Sequence, residues 1–113
     1  MPPKRNPLKL NPLQLKTLTL LQELARHPEY ATAGEDGTVM VSTLPAPHGD
    51  HFHIGPFAVR ASDATGLANP AVFAALERKG LLRLGHPLGT VMTAEGLAYD
   101  TGLREDILHG SHH

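Results

Sequence analysis

The stretch ASDATGLANPAVFAALERKGLLRLGHPLGTVMTAEGLAYD, Ala61 to Asp100, decides the fold. At its centre Asn69-Pro70 combines a helix N-cap with a proline at the first helical position, where the missing N–H costs nothing. Val72, Phe73 and Leu76 recur at helical spacing, the stem of Lys79 extends the stripe, and Gly80 ends it. Upstream, Gly66 suits a left-handed turn that closes a short helical element predicted from Phe57 to Thr65. Downstream, Leu81-Leu82-Arg83-Leu84 and Thr90-Val91-Met92 are short apolar strands, and Gly85-His86-Pro87-Leu88-Gly89 is a connection of hairpin length. Thr93 then caps a last short helix over Ala94–Tyr99, with Glu95 in the first turn as the helix dipole prefers.

Working outward, Asn11-Pro12 repeats the same start device. Leu18, Leu21, Leu24 and Ala25, widened by Leu13 and Leu20, predict a first helix running to about Arg26. Leu13, Leu18, Leu21, Leu24, Val72, Phe73 and Leu76 form the expected core. Leu15 and Leu20 exceed what one stripe needs and, if exposed, make a dimer contact. Thr38 to Leu44 is rich in β-branched residues, Pro45 to Asp50 interrupts, and His51-Phe52-His53-Ile54 resumes alternation, which predicts an extra hairpin after the first helix. There Phe52 and Ile54 face one way and His51 and His53 the other. Residues 1–10, with three prolines and no periodicity, read as a flexible basic arm; 11–106 read as one domain. Residues 107–113 read as a tail, in which His109-Gly110-Ser111-His112-His113 resembles the start of an expression tag, so 110–113 are set aside.

The 113 residues are 41% hydrophobic with a net charge of −1, enough apolar material for one aliphatic core and no overall basic field. Cysteine is absent, which excludes disulfides, thiolate metal sites and a Cys nucleophile. No apolar run reaches membrane-span length, and the charged start lacks the apolar segment of an export signal, so the expectation is an unexported, cytoplasmic chain without membrane contact. The small total charge hides a partition. Residues 1–26 carry plus four and 27–56 minus four, 57–93 carry plus two and the remainder minus three. Basic character therefore concentrates in the arm and around the later helix.

Helix, strand region, short helix, glycine turn, capped helix, two-stranded hairpin and terminal helix is the element order of a winged helix-turn-helix domain. Residues 57–100 resemble the second helix, turn, recognition helix and wing of bacterial winged-helix regulators of the MarR-like sort. Gly66-Leu67, Asn69, Leu76, Lys79-Gly80-Leu81-Leu82 and Thr93-Ala94-Glu95-Gly96-Leu97-Ala98 occupy the corresponding places. The resemblance implies an α+β winged helix acting as a dimeric DNA-binding transcriptional regulator. Lys4, Arg5, Lys9, Asn69, Arg78, Lys79 and Arg83 would contact double-stranded DNA. The hairpin after the first helix departs from that pattern. The helix from Asn69 to Lys79 also presents few donors for base edges, only Asn69, Arg78 and Lys79. The alternative is a winged-helix protein-interaction or dimerisation module that does not touch DNA. Basic residues gathered on one face favour DNA, and scattered ones favour protein.

His48, Asp50, His51 and His53 fall within six residues, HGDHFH. On an extended strand His51 and His53 share a face about 6 to 7 Å apart along the chain, and His48 or Asp50 can fold back from the turn. Imidazole ligands favour zinc, nickel or ferrous iron over magnesium, and would make the regulator metal-responsive. Catalysis has no comparable signature. Ser42 and Ser62 lie outside any nucleophile-elbow context, and no glycine-rich phosphate loop follows a strand. The chain is not expected to be an enzyme.

Overall fold

Two prolines open the two longest helices of the protein, whose computed structural model describes residues 6–47 and 49–110. Helix α1 spans Pro12–Leu24, and helix α2 spans Pro70–Arg78. Ahead of α1, the Asn11 side chain accepts from the Gln14 N–H at 2.8 Å while Gln14 Oε1 accepts from the Asn11 N–H at 3.0 Å, a reciprocal capping box. The Asn69 side chain caps α2 by accepting from the Ala71 N–H at 3.0 Å. Beyond α2 the chain reverses at Gly80, whose φ of +79° a side chain would strain.

Among the described residues there are seven strands: β1 (Ala31–Ala33), β2 (Val39–Val41), β3 (His51–Ile54), β4 (Phe57–Arg60), β5 (Leu82–His86), β6 (Gly89–Met92) and β7 (His109–Gly110). They form two antiparallel sheets, one in the order β1-β2-β6-β5 and one in the order β3-β4-β7. Short 3₁₀ turns at Ala61–Asp63 and Thr65–Ala68 lead into α2, and the small helices α3 (Ala94–Ala98) and α4 (Arg104–Ile107) come after the hairpin. The protein is thus an α+β domain. Leu18, Leu20, Leu21 and Leu24 of α1 meet Leu76 of α2, Leu82 and Met92 of the first sheet, and Ile54 and Val59 of the second, in one buried cluster. Thr17 and Thr19 are tolerated there because their hydroxyls donate to the Leu13 and Leu15 carbonyls at 2.8 and 2.7 Å. Gln22 joins α1 to α3 by donating to the Gly96 and Tyr99 carbonyls, both at 2.8 Å.

From Asn69 to Tyr99 the chain forms the helix, hairpin and short helix that its sequence predicts, and the middle does not follow the prediction. The segment after Gly55 is not helical at its start: Phe57–Arg60 is strand β4, paired residue for residue with His51–Ile54. The strand Val39–Val41 therefore does not pair with His51–Ile54. It lies between β1 and β6 instead, with Met40 opposite both Thr32 and Val91. The β1–β2 turn has φ of +57° at Asp36 and +77° at Gly37, the two left-handed residues that match strand twist in a tight hairpin. Asn6 to Leu10, expected as part of a flexible arm, is anchored. Leu10 is buried, and the Asn6 side chain both donates to the Leu10 carbonyl at 2.8 Å and accepts from its N–H at 3.0 Å. The Tyr99 hydroxyl bonds Asn6 Oδ1 and accepts from the Leu8 N–H. Lys4 and Arg5 lie outside the described residues. At the other end Ile107 and Leu108 are buried in the core, beyond the expected limit of 106, and His109–Gly110 pairs with β4. Leu20 is fully buried and Leu15 packs against the core, so neither offers the expected dimer contact.

Candidate functional surfaces

The register of the first sheet builds its outer face. Residues directly opposite one another on neighbouring strands share a face. Ala33, Val39, Met92 and Leu82 form the inward row, and Thr32, Met40, Val91 and Arg83 form the outward one. Met40 and Val91 remain part-exposed at the centre of the outward row, and Arg83 is exposed at the β5 edge. The face sinks into a depression of about 380 Å³ whose lining includes Glu35 and Asp36 on one side and Arg83 and His86 on the other. The acidic pair and His86 occupy diagonal corners, and Arg83 lies midway along the β5 edge, level with Val91 and Met40. Glu35 and Asp36 belong to the β1–β2 turn, beyond the Ala33–Val39 end, whereas His86 pairs with Gly89 at the opposite end and the opposite edge. Among the described residues, none of the salt bridges involves Glu35, Asp36 or Arg83.

The basic residues singled out in the sequence are not gathered there. Arg78 and Lys79 are exposed at the end of α2. Leu82 points into the core, toward the side on which α2 packs, and its neighbour Arg83 points to the opposite side of the sheet. Lys9 is exposed ahead of α1, with a φ of +57°. Asn69 is committed to capping α2. The outward positions of α2 are Pro70, Ala71, Glu77 and Arg78. Among them, Glu77 accepts a hydrogen bond from the Leu84 N–H at 2.8 Å and so ties α2 to β5.

Strand β3 carries the histidines. All four of its residues pair with β4, which holds His51 and His53 on one face, opposite Arg60 and Ala58. His51 Nε2 stands 3.1 Å from His53 Nε2, and the rings meet edge to face with centroids 4.7 Å apart. Asp50 Oδ1 lies 3.3 Å from His51 Nδ1. Asp50 therefore orients His51 from behind rather than joining the two Nε2 atoms. His48, the other expected ligand, lies outside the described residues. Among the described residues no group of three or more His, Asp or Glu side chains is arranged to hold a metal ion.

The polar centre that the sequence did not announce is Glu23. It is 2% exposed, near the C-terminal end of α1. One carboxylate oxygen pairs with Arg104 Nη1 of α4, and the other lies 2.8 Å from His27 Nε2. The i, i+4 spacing of Glu23 and His27 was legible; the Arg104 partner, 81 residues away, was not. No protein-family profile, curated protein sequence or solved structure matches this chain. No helix is long and apolar enough to cross a membrane among the described residues.

Proposed function

We propose that the chain is a winged-helix-type interaction module that self-associates through the outer face of its four-stranded sheet. The winged-helix part is supported by the pairing of β2 with β6. Strand β2, between α1 and α2 in the chain, closes onto the second strand of the hairpin beyond α2. The β3–β4 hairpin is an insertion into that arrangement.

The observation that carries the reading is the diagonal placement of acidic and basic groups across an apolar centre. A two-fold axis lying in the interface plane, perpendicular to that diagonal, brings the β5 edge that carries Arg83 and His86 in one copy toward the Glu35 and Asp36 corner of the other. It also stacks Met40 and Val91 on their own copies. Such an isologous contact satisfies both corners at once and closes at two chains. Complementary charge of this kind fixes register and partner choice. Equilibrium sedimentation tests it by charge exchange. Arg83→Glu weakens the dimer, Glu35→Arg with Asp36→Arg weakens it as well, and the combined variant regains it. A wild-type monomer at high concentration, or combined reversal without recovery, overturns the reading.

DNA binding is the second reading, favoured by the exposure of Arg78 and Lys79 at the end of a capped helix. A gel-shift series with salt titration decides it. Loss of each phosphate contact lowers the slope of log affinity against log salt by about one unit. Unchanged binding in the Lys9, Arg78 and Lys79 alanine variants removes it.

A further inference from the structure

We propose that His51 and His53 chelate a first-row transition-metal dication through their Nε2 atoms. Metal–nitrogen bonds of about 2.0 to 2.1 Å place two ligand nitrogens about 3.0 Å apart at a right angle and about 3.4 Å apart at the tetrahedral angle. The observed Nε2 separation of 3.1 Å falls inside that range, and it arises from two adjacent same-face positions of one fully paired strand. The bite is built before any ion arrives, so binding does not have to order the backbone.

The second observation is the carboxylate beside the His51 ring. The Asp50 carboxylate stands 3.3 Å from His51 Nδ1, where it can accept a proton from that nitrogen and so leave Nε2 as the ligand atom. Chelation requires both Nε2 atoms unprotonated, with each ring's proton on Nδ1. The carboxylate–imidazole–metal arrangement raises ligand basicity and fixes the ring. Two imidazoles suit copper, nickel or zinc far better than magnesium or calcium. Water supplies further donors, since His53 is exposed and His51 partly so. Arg60, the cross-strand partner of His51, shares this face and opposes the approach of a dication.

The test is calorimetric titration of the full chain with nickel and zinc, in a His112→Gln, His113→Gln background that removes the tail imidazoles. Binding of one ion per chain is expected. His51→Gln and His53→Gln each weaken it by at least about tenfold, and Asp50→Asn weakens it by less. Arg60→Ala tightens it severalfold, a result that a merely structural histidine pair does not produce. Melting curves check that the surface variants remain folded. The chelate is overturned if the background protein takes up neither ion at micromolar concentrations. It is equally overturned if either histidine alone can be replaced without loss.

Discussion

The two sheets are fastened to the helices differently. The four-stranded sheet is held by volume. Leu82 and Met92 are fully buried against the helices, and α3 approaches the start of the hairpin so closely that a Cβ at Gly96 would sit 1.8 Å from the Leu81 carbonyl oxygen. The three-stranded sheet buries Ile54 and Val59 in the same core and adds an ionic anchor at its Gly55–Phe57 end. Glu23 gathers His27 and Arg104, the His27 ring fills the space where a Cβ at Gly55 would stand 2.3 Å from it, and the Arg104 guanidinium lies 5.4 Å from the Phe57 ring centroid. One region should therefore fail when atoms are added, and the other when a charge is removed.

The largest effect is expected on the first side. In Gly96→Ala the new methyl meets backbone that cannot rotate away, so α3 or the Leu81 strand must shift. A loss of about 3 kcal/mol in urea denaturation is expected. A loss under about 1 kcal/mol would show that the close approach relaxes readily and that packing does not limit this sheet.

Next comes the ionic anchor. Arg104→Ala leaves Glu23, with its side chain 3% exposed, to His27 alone. The Arg104 side chain is 42% exposed, so solvent screening moderates the cost to about 2 kcal/mol. Hydrogen exchange should speed up in β3 and β4 while β5 and β6 keep their protection. The double variant Glu23→Leu, Arg104→Met should be more stable than Arg104→Ala, because it leaves no buried charge without its partner. Equal loss of protection in both sheets would erase the distinction between them.

The same division explains what the sequence could reveal. Asn69-Pro70, Gly80, the hairpin from Leu82 to Met92 and the Thr93 cap are local devices, each complete within a few residues, and all stand where the sequence predicts them. β1 escapes sequence reasoning because Ala31-Thr32-Ala33 has little strand character of its own; it exists because β2 pairs with it. Asp36-Gly37 was the available signal, a turn dipeptide that favours a tight hairpin. Phe57–Arg60 takes on a helical reading only from the turn-and-helix segment C-terminal to it. Yet Gly55, with φ of +56°, and Pro56 make a two-residue connection, and β4 alternates between the buried Val59 and the exposed Arg60. At the candidate sites the spacing of His51 and His53 was legible. The outer-face diagonal was not, since it depends on β2 pairing with β6 across a gap that no local pattern spans.

Asn69→Ala tests a local device within the volume-held region. It removes the acceptor for the Ala71 N–H and should cost about 1 kcal/mol, with Pro70 still starting the helix. A cost near zero would mean that packing of Val72 and Leu76 alone sets the helix start.

The smallest expected change in stability is at the hairpin tip, and there it separates folding from association. Leu88 is 65% exposed and Leu44 is 46% exposed. They belong to one end of the sheet, because a Cβ at Gly89 would lie 2.9 Å from the Ser42 Cα. Leu88→Ser removes little buried surface, so the unfolding free energy should stay within about 0.5 kcal/mol. If the basic corner of one copy rests on the acidic corner of the next, the tip beside His86 is carried into that contact, and the same variant should weaken self-association in sedimentation. Unaltered association would confine the contact to Met40, Val91 and the charged corners and exclude the tip. A large loss of stability would instead mean that Leu88 supports the hairpin itself.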